Sequence, residues 1–387
     1  MWLTDSLREF YKRGDLLLLA LCLLASGFGV LMIFSATRYL GPESKIVSRQ
    51  LIALALGVVV YIACSFVDID LFLERSWKFL PVFNVLMMVW LLFFGYGRAE
   101  TGNNNWVSIP GIPFNIQPAE ITKIAFIMLL AVQITYYNKK KSLSDIGSVL
   151  QLLAHFAAMV GAIFIISGDA GMCAAYLLIF IIMLWVARLK LRWFVVGFSA
   201  LIGGAYTVYN YTSLLPGYMR QRVAVIFDRS IDPLGIGYHQ NRGVLALGSG
   251  QLTGQGLFQG IQSQSQSGLP ERQNDFIFAV IGEELGMIGC IATMLLLCAI
   301  VLRCLFVSRL ARSEASSLVC VGFGGMIMVQ MVLNVGMCLF VLPVIGLTLP
   351  FISSGGSSII SLFASMGLVS SIKMRSLPSW LKDRTQT

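Results

Sequence analysis

Long apolar runs constrain the fold of this chain more than any other feature of its sequence. A helix needs about 20 apolar residues to cross the hydrocarbon core of a bilayer, where only helices and closed barrels satisfy every backbone polar group. Candidate runs lie near 16–37, 51–67, 78–96, 119–137, 147–167, 171–189, 191–210, 276–302, 317–343 and 356–372. The pattern predicts an all-α polytopic membrane protein with about ten transmembrane helices.

The composition supports the same class of protein. The chain is 57% hydrophobic and only 12% charged, whereas soluble domains are about 25% charged. Its net charge of +9 does not require nucleic acid, because Lys and Arg collect in the cytoplasmic loops of membrane proteins. The eight cysteines lie in apolar runs or at their ends, without the close Cys/His spacing of a zinc site. We therefore expect packing cysteines, no nucleic-acid partner and no metal site made by the protein alone.

Charge asymmetry predicts the orientation of the bundle. With the N-terminus inside, most of the 28 basic residues fall in inner segments, as the positive-inside rule requires. Both termini are then cytoplasmic, and 211–275 forms one long extracytoplasmic loop between the seventh and eighth spans. Glycines at 250, 254, 256 and 260 predict irregular structure in this loop. We expect residues 1–387 to form a single transmembrane domain.

Asp275 is the last polar residue of this loop before a long apolar helix. A carboxylate at a membrane boundary is costly unless it is paired or used, so it is a candidate functional residue. The alternative is a helix N-cap, where Asp is favoured and complements the helix dipole. The sequence leaves both interpretations open, and one side chain can serve both.

Other acidic residues lie within or at the ends of the predicted spans. Glu120 and Lys123 are three residues apart, so they share a helix face and can neutralise each other. This pair is either structural or part of a substrate site. Glu283 and Glu284 lie about two turns into the eighth span, where pairing with a basic residue of another span is the simplest expectation. Asp169 lies at the outer end of the sixth span.

The segment before the tenth span interrupts the helices. Pro350 and the Gly355–Gly356 pair lie within the run Pro350-Phe351-Ile352-Ser353-Ser354-Gly355-Gly356-Ser357-Ser358. Backbone groups freed there must face protein or water rather than lipid. The N–H groups at the start of the tenth span predict an anion site. A plain helix–helix turn explains the same residues nearly as well.

These features share the predicted outer side of the membrane. They are Trp106, Glu120, Asp169, Asp275 and the Gly355–Gly356 turn, together with Arg220, Arg222, Arg242 and Arg272. Trp106 alone is equally typical of an interfacial belt residue. Cations suited to phosphate and a carboxylate suited to proton transfer predict a cleft for an anionic, lipid-linked substrate.

Several segments, taken together and in order, resemble the SEDS family (shape, elongation, division and sporulation), which includes RodA, FtsW and SpoVE. They are Arg49-Gln50, Trp106-Val107, Gln117-Pro118-Ala119-Glu120-Ile121-Thr122-Lys123, Ala246-Leu247-Gly248-Ser249-Gly250, Leu269-Pro270-Glu271, Asn274-Asp275-Phe276-Ile277-Phe278, Glu283-Glu284-Leu285-Gly286 and Leu349-Pro350-Phe351-Ile352-Ser353. The chain departs from the family at Asn105, where Arg is usual, and around Asp169 and Ser354.

The resemblance implies a peptidoglycan glycosyltransferase that polymerises lipid II, an undecaprenyl-pyrophosphate-linked disaccharide peptide, at the outer face of the cytoplasmic membrane. It implies work in cell elongation, division or sporulation beside a class B penicillin-binding protein, a transpeptidase, among membrane lipids. Asp275 is then the catalytic base. The expected substrate-binding residues are Trp106, Glu120, Lys123, Arg222, Ser249, Glu271 and Ser357. Basic residues, or a divalent cation (Mg or Mn) held with the substrate pyrophosphate, stabilise the leaving group.

Two other functions compete with polymerisation. A lipid II flippase would use the same cavity without chemistry and would carry charged residues through the whole membrane depth, whereas the charged residues that lie within or at the ends of the spans concentrate here at the outer side. A non-catalytic scaffold of the cell-wall machinery would not need acids in an outer cleft.

Overall fold

The structure is a computed structural model that describes residues 8, 10–41, 45–97, 103–140, 142–211, 220–221, 224–225, 228, 235, 237–265 and 268–376. These residues are helical apart from turns, bends, irregular segments and two isolated β-bridges, Tyr96 with Trp106 and Val107 with Ile116. The predicted all-α class is therefore confirmed.

The helices follow the predicted apolar runs. In chain order they are α1 (Leu16–Thr37), α2 (Ile46–Ser65), α3 (Ile69–Ser76), α4 (Phe79–Phe94), α5 (Pro118–Lys140), α6 (Ile146–Ser167), α7 (Ala170–Val186), α8 (Leu191–Tyr211), α9 (Tyr238–Ser249), α10 (Ile261–Gln264), α11 (Ile277–Leu310), α12 (Glu314–Cys338) and α13 (Gly356–Met374). Within the long loop, α9 and α10 are regular structure that the glycine-rich sequence did not predict.

Seven helices of the described chain are long and apolar enough to cross a membrane, and α3 with α4, which meet at 81°, would make an eighth. Shorter apolar helices lie at Ala170–Val186 and Leu191–Gly204. Each predicted run thus falls on a helix, and the chain is a multi-pass membrane protein. The count of ten crossings and the outer placement of the long loop stay predictions.

Three helices form the interior of the bundle. Most residues in the apolar windows of α5, α12 and α13 are buried inside the protein, whereas only 22%, 22% and 28% of those of α2, α6 and α11 are buried. Exposed apolar side chains suit helices that face lipid, while polar groups in a membrane protein belong on interior helices. The candidate site is built mainly on α5 and α12 and on the segments that enter α11 and α13.

A buried carboxylate ties the N-terminal helix to two later helices. Asp15 is fully buried, and its oxygens accept hydrogen bonds from Nε and Nη2 of Arg303 on α11, each at 2.9 Å. Lys373 of α13 adds a second cation at 3.4 Å. A bidentate, charge-assisted pair of this kind fixes geometry as well as charge, so it holds α1, α11 and α13 together at one end of the bundle.

Helix α11 is broken at Gly286, which has φ 67° and ψ −165°. At this break the segment 251–256 packs against the helix backbone. The N–H groups of Gln255 and Gly256 donate to the carbonyls of Glu283 and Glu284 at 2.9 and 3.0 Å. Beyond the break, Met287 donates to the carbonyl of Gln251 at 2.9 Å. A residue with a Cβ would strain at this conformation, so the glycine makes the docking of the loop possible.

Candidate active site

Asp275 lies in a turn just before α11, and the backbone of this turn is held from outside. The carbonyl of Gln273 accepts from the N–H of Ser354 at 2.9 Å. The carbonyl of Asn274 accepts from the hydroxyl of Ser353 at 2.6 Å. The carbonyl of Asp275 accepts from Nδ2 of Asn334 at 2.8 Å. Three consecutive carbonyls are therefore bonded to α12 and to the segment before α13.

The carboxyl group of Asp275 has a different environment from its backbone. The N-cap of α11 is Phe276, with no side-chain capping bond, so the structure does not support the alternative interpretation that Asp275 caps this helix. Within the described part of the chain no residue donates a hydrogen bond to the carboxylate, and the side chain is partly exposed. As far as the described residues are concerned, its oxygens can therefore accept hydrogen bonds from a ligand.

The electrostatic surroundings of Asp275 favour a proton acceptor active near neutral pH. Burial raises the pKa of Asp275 to about 7, with the negative charges of Glu271 and Asp169 contributing to the rise. Desolvation and like charges both disfavour the ionised form of a carboxyl group. A pKa close to the working pH is what general base catalysis requires.

The predicted pair of Glu120 and Lys123 is present in the first turns of α5. Lys123 Nζ lies 2.9 Å from Glu120 Oε1, and both side chains are buried. Gln330 of α12 donates to the same Glu120 oxygen at 3.4 Å. Glu120 Oε2 and Gln330 Oε1 accept no hydrogen bond from the described residues. The pair thus joins α5 to α12 in the bundle interior.

Asp169 caps α7 and accepts a hydrogen bond from Asn105, which stands where the SEDS pattern usually has Arg. Its carboxylate accepts from the N–H of Met172 at 2.9 Å and from Nδ2 of Asn105 at 2.8 Å. Burial raises the pKa of Asp169 to about 6 against the lowering effect of these hydrogen bonds, and the charge of Glu120 adds to the rise. Asn105 therefore supplies a neutral partner where an Arg would supply a charge.

Ser357 lies in the first turn of α13 and is nearly buried, and its hydroxyl accepts from the N–H of Gln117 at 3.2 Å. The N–H of Gly355 donates to Oε1 of Gln50 at 3.1 Å, and that of Ser354 to Gln273. Two N–H groups just before the start of the tenth span are thus used within the protein, and the predicted anion site at the start of that span stays a prediction.

The other predicted substrate residues have separate positions. Trp106 is partly buried and its backbone pairs with Tyr96 in an isolated bridge. Glu271 is exposed and accepts a hydrogen bond at 2.6 Å from Nδ2 of Asn274, the residue that precedes Asp275. Ser249 ends α9, donates to Ala246 and accepts from Gln255, both at 2.8 Å. Arg222 lies outside the described residues.

Two of the loop arginines expected to face phosphate are used to hold the loop itself. Arg272 is buried, donates to the carbonyls of Gln262 and Ser263, and stacks over the ring of Tyr39 at 3.8 Å. Arg242 donates to Oε1 of Gln262 at 3.2 Å.

Glu283 and Glu284 also bind this loop, which corrects the expectation that one of them pairs with a basic residue of another span. Glu283 accepts from the N–H groups of Gln262 and Ser263 at 2.6 and 2.9 Å. Glu284 accepts from the hydroxyls of Ser35 and Ser263 at 2.6 and 2.9 Å. Backbone and hydroxyl donors therefore replace the expected cation.

Sequence reasoning missed Gln330, Asn334, Ser353 and Gln50. Gln330 and Asn334 are fully buried amides on the apolar helix α12. The signal was present, because polar residues four apart in a membrane helix share one face and need partners inside the bundle. What the sequence did not contain was the identity of those partners.

These features define a class: a multi-pass helical membrane protein with a partly exposed carboxyl group, free of hydrogen-bond donors from the described residues, at one end of a polar interior. The family model described as "Cell cycle protein" for FtsW, RodA and SpoVE matches residues 15–377. The chain belongs to the FtsW/RodA/SpoVE family.

Relatives and solved structures agree with this membership. The chain is 31% identical over 358 residues to the peptidoglycan glycosyltransferase MrdB of Escherichia coli K12, covering 92% of each chain. It is 32% identical over 366 residues to the stage V sporulation protein E of Bacillus subtilis, covering 92% of this chain and 95% of the relative.

The fold is similar to that of two solved structures. One is a chain from a peptidoglycan synthase complex that coordinates polymerization and crosslinking, with a TM-score of 0.76, 24% identity and coverage of 97% of this chain and 99% of that chain. The other is the rod shape determining protein RodA of Thermus thermophilus, with a TM-score of 0.67, 22% identity and coverage of 95% and 98%.

Proposed function

We propose that this chain is a peptidoglycan glycosyltransferase that polymerises lipid II at the outer face of the cytoplasmic membrane, with both termini in the cytoplasm. It would act in cell elongation, division or sporulation. The observation that carries the proposal is Asp275, whose partly exposed carboxyl group has a pKa of about 7 and a fixed backbone. Relatives that are about 30% identical over most of the chain bear the same activity in their names.

The chemistry requires one base and one site for a leaving group. The 4-hydroxyl of the acceptor sugar attacks the anomeric carbon of the donor while undecaprenyl pyrophosphate departs, so one displacement inverts the anomeric centre. Asp275 accepts the hydroxyl proton as the new glycosidic bond forms. The negative charge of Glu271 contributes to the raised pKa of Asp275, which lies at about 7.

Substrate contacts around this base belong to the same proposal. Trp106 offers an aromatic face, Ser357 a hydroxyl and Glu271 a carboxylate for the sugar and peptide parts of lipid II. Arg222 and Ser249, on the long loop, complete the set. Lys123 is buried and neutralised by Glu120, so it contacts pyrophosphate only if substrate displaces Glu120 from it.

Positive charge for the leaving group has a second source. In the described part of the chain no group of three His, Cys, Asp or Glu residues could hold a metal ion. A divalent cation, Mg or Mn, would be held partly by the pyrophosphate, where it would neutralise the departing charge. Glycan synthesis with Mg, with Mn and with a chelator separates this source from the basic side chains.

The proposed partner is a class B penicillin-binding protein, which would cross-link the new strands. Support comes from the similarity of the fold to a chain of a peptidoglycan synthase complex. Association of two membrane proteins through their lipid-facing helices depends on close packing in the bilayer.

One reconstitution tests the proposal. The purified full chain, alone and with a class B penicillin-binding protein inhibited by penicillin, receives lipid II in detergent, and glycan strands are separated on a gel. We expect strands from the wild type, none from Asp275→Asn and wild-type amounts from the matched control Asp145→Asn, an exposed acid before α6.

The same assay separates polymerisation from both rival functions. Detergent removes any need to move lipid II across a membrane, so a flippase makes no glycan there. A scaffold makes none with any variant. Absence of glycan from the wild type with its partner would overturn the proposal.

A further inference from the structure

We propose that Asn334 and Ser353 are positioning residues for Asp275: by holding the backbone carbonyls of residues 274 and 275 they fix where its carboxyl group lies. This inference rests on the proposed function, in which Asp275 is the base. It adds two residues, on α12 and before α13, that touch neither substrate nor reacting atoms.

The first argument is where the carbonyls of this turn find their donors. The N–H groups of Ala279 and Val280 both bond to the carbonyl of Phe276, so the ladder of α11 begins after Asp275. The carbonyls of Asn274 and Asp275 instead accept from Ser353 and Asn334 at 2.6 and 2.8 Å. Cys338 Sγ makes a longer contact to the carbonyl of Asp275, at 3.7 Å. Buried carbonyls without donors are costly, so the shorter bonds from Ser353 and Asn334 are the main restraints on this backbone.

The second argument is that both donors are themselves fixed. Asn334 is fully buried, and its Nδ2 also donates to the carbonyl of Leu347 at 2.7 Å. The hydroxyl of Ser353 accepts from the N–H of Leu349 at 2.8 Å. The backbone carbonyl of Ser353 accepts from Nε2 of Gln50 at 3.2 Å. Supporting groups with locked geometry are what a precise site requires.

The third argument is that the carboxyl group has no other support in the described chain. No described residue donates a hydrogen bond to it, so its direction follows from the backbone rather than from side-chain contacts. Among the described residues, this arrangement leaves both oxygens without a donor, so either can accept from the acceptor hydroxyl. It also makes the rate sensitive to small shifts of the turn, because a misplacement of about 1 Å can cost about 10²-fold in rate.

A purely structural role is the alternative, and the chain offers a matched control for it. Gln240 of α9 is also a buried amide that clamps two carbonyls, those of Met337 and Leu342, at 3.2 and 2.6 Å. Neither carbonyl is adjacent to Asp275 in the chain. Asn334→Leu and Gln240→Leu therefore each remove an amide that bonds two carbonyls. Only Asn334 bonds the carbonyl of the candidate base, Asp275.

The experiment measures kcat and KM for lipid II as a function of pH, using the full chain with its penicillin-binding protein. For Asn334→Leu we expect kcat to fall about 10- to 100-fold with KM little changed. The acidic limb of the pH profile should move to lower pH, since a loosened turn admits water to Asp275. Gln240→Leu should lose stability but keep kcat and the wild-type profile.

Ser353 provides a second, milder pair of variants should Asn334→Leu fail to fold. Ser353→Ala removes the donor to Asn274 and should reduce kcat in the same direction. Ser353→Thr keeps the hydroxyl and should restore it. Equal loss in both Ser353 variants would overturn the inference, because then the hydroxyl is not what matters.

Asp275→Asn separates failure of the inference from failure of the proposed function. If Asp275→Asn is inactive while Asn334→Leu keeps the wild-type kcat and profile, the inference is wrong and the function stands. The inference is also wrong if Gln240→Leu loses as much kcat as Asn334→Leu. If Asp275→Asn keeps the wild-type rate, the assignment of the base fails and the inference fails with it.

Discussion

Gln330 and Asn334 lie one helical turn apart on α12, and each amide reaches one part of the candidate site. Gln330 donates to Oε1 of Glu120 at 3.4 Å, and Asn334 donates to the carbonyl of Asp275 at 2.8 Å. One interior helix therefore connects the ion pair of α5 with the turn that carries the proposed base.

Replacing Asp275 by Asn should remove catalysis while sparing the fold. The amide keeps the shape but cannot accept the proton, and loss of a general base typically lowers the rate about 10²–10⁴-fold. The wild-type rate should rise with pH and level off above the pKa of Asp275, about 7, because only the ionised form is a base. Initial rates of glycan synthesis across pH measure both effects.

The stability of the wild type should change with pH in the direction opposite to its activity. Since folding raises the pKa of Asp275 from 3.8 to about 7, the folded state favours the neutral acid and loses stability as pH rises through this window. Asp275→Asn, which is always neutral, should therefore be at least as stable as the wild type at pH 8. A lower melting temperature than wild type at pH 8 would contradict this.

Glu120 and Lys123 should behave as a coupled pair. Glu120→Gln or Lys123→Met alone leaves one buried charge without its partner, which typically costs about 3–5 kcal/mol. The double variant removes both charges and should recover most of that loss, as measured by thermal unfolding in detergent. Additive losses in the double variant would show that the two residues are independent.

Activity of that double variant tests the substrate role. A pair that serves only the fold leaves the recovered protein fully active. We expect recovered stability with reduced polymerisation.

Asp15→Asn should destabilise the end of the bundle where α1, α11 and α13 meet. The amide keeps the cap on α1 but leaves Arg303 without its buried carboxylate, at a typical cost of about 3–5 kcal/mol. Asp68→Asn is the control, because its pair with Arg375 is partly exposed and such pairs contribute about 0–1 kcal/mol. Equal losses of thermal stability in the two variants would refute the difference.

Gly286→Ala should disturb the break in α11. A Cβ there would lie 2.4 Å from the N of Gly254 and 2.5 Å from backbone atoms of Leu252, and the conformation itself costs a residue with a Cβ about 1–3 kcal/mol. The matched control is Gly161→Ala in α6, where a Cβ would meet nothing within 4 Å. Limited proteolysis of the 251–256 segment should be faster in the first variant only.

Impermeant thiol labelling of intact spheroplasts tests the predicted orientation. Ser265→Cys should react with a membrane-impermeant maleimide, and Lys140→Cys should not. Five of the eight native cysteines are buried and three partly buried, so the unmodified chain provides the background. Reaction at position 140 and protection at 265 would reverse the orientation and place Asp275 inside.

Hydropathy predicted the helices because the requirement to fill a bilayer is local and repeats along each run. The pair of Glu120 and Lys123 was equally accessible, since three residues of separation put both on one helix face. The break at Gly286 was not, because its cause is the segment 251–256, which lies outside α11. Asn334 and Ser353 were missed for the same reason: their partners lie 59 and 79 residues away in the sequence.

The order of the chain gives the clamp on Asp275 a consequence for biosynthesis. The donors that hold this turn, at positions 334 and 353, leave the ribosome 59 and 79 residues after the groups they bind. In a nascent chain that has already inserted α11, the turn that carries Asp275 therefore lacks these two hydrogen bonds until α12 and the segment before α13 have been synthesised and packed. Competence for chemistry would be acquired late in membrane insertion, which keeps unfinished chains inert.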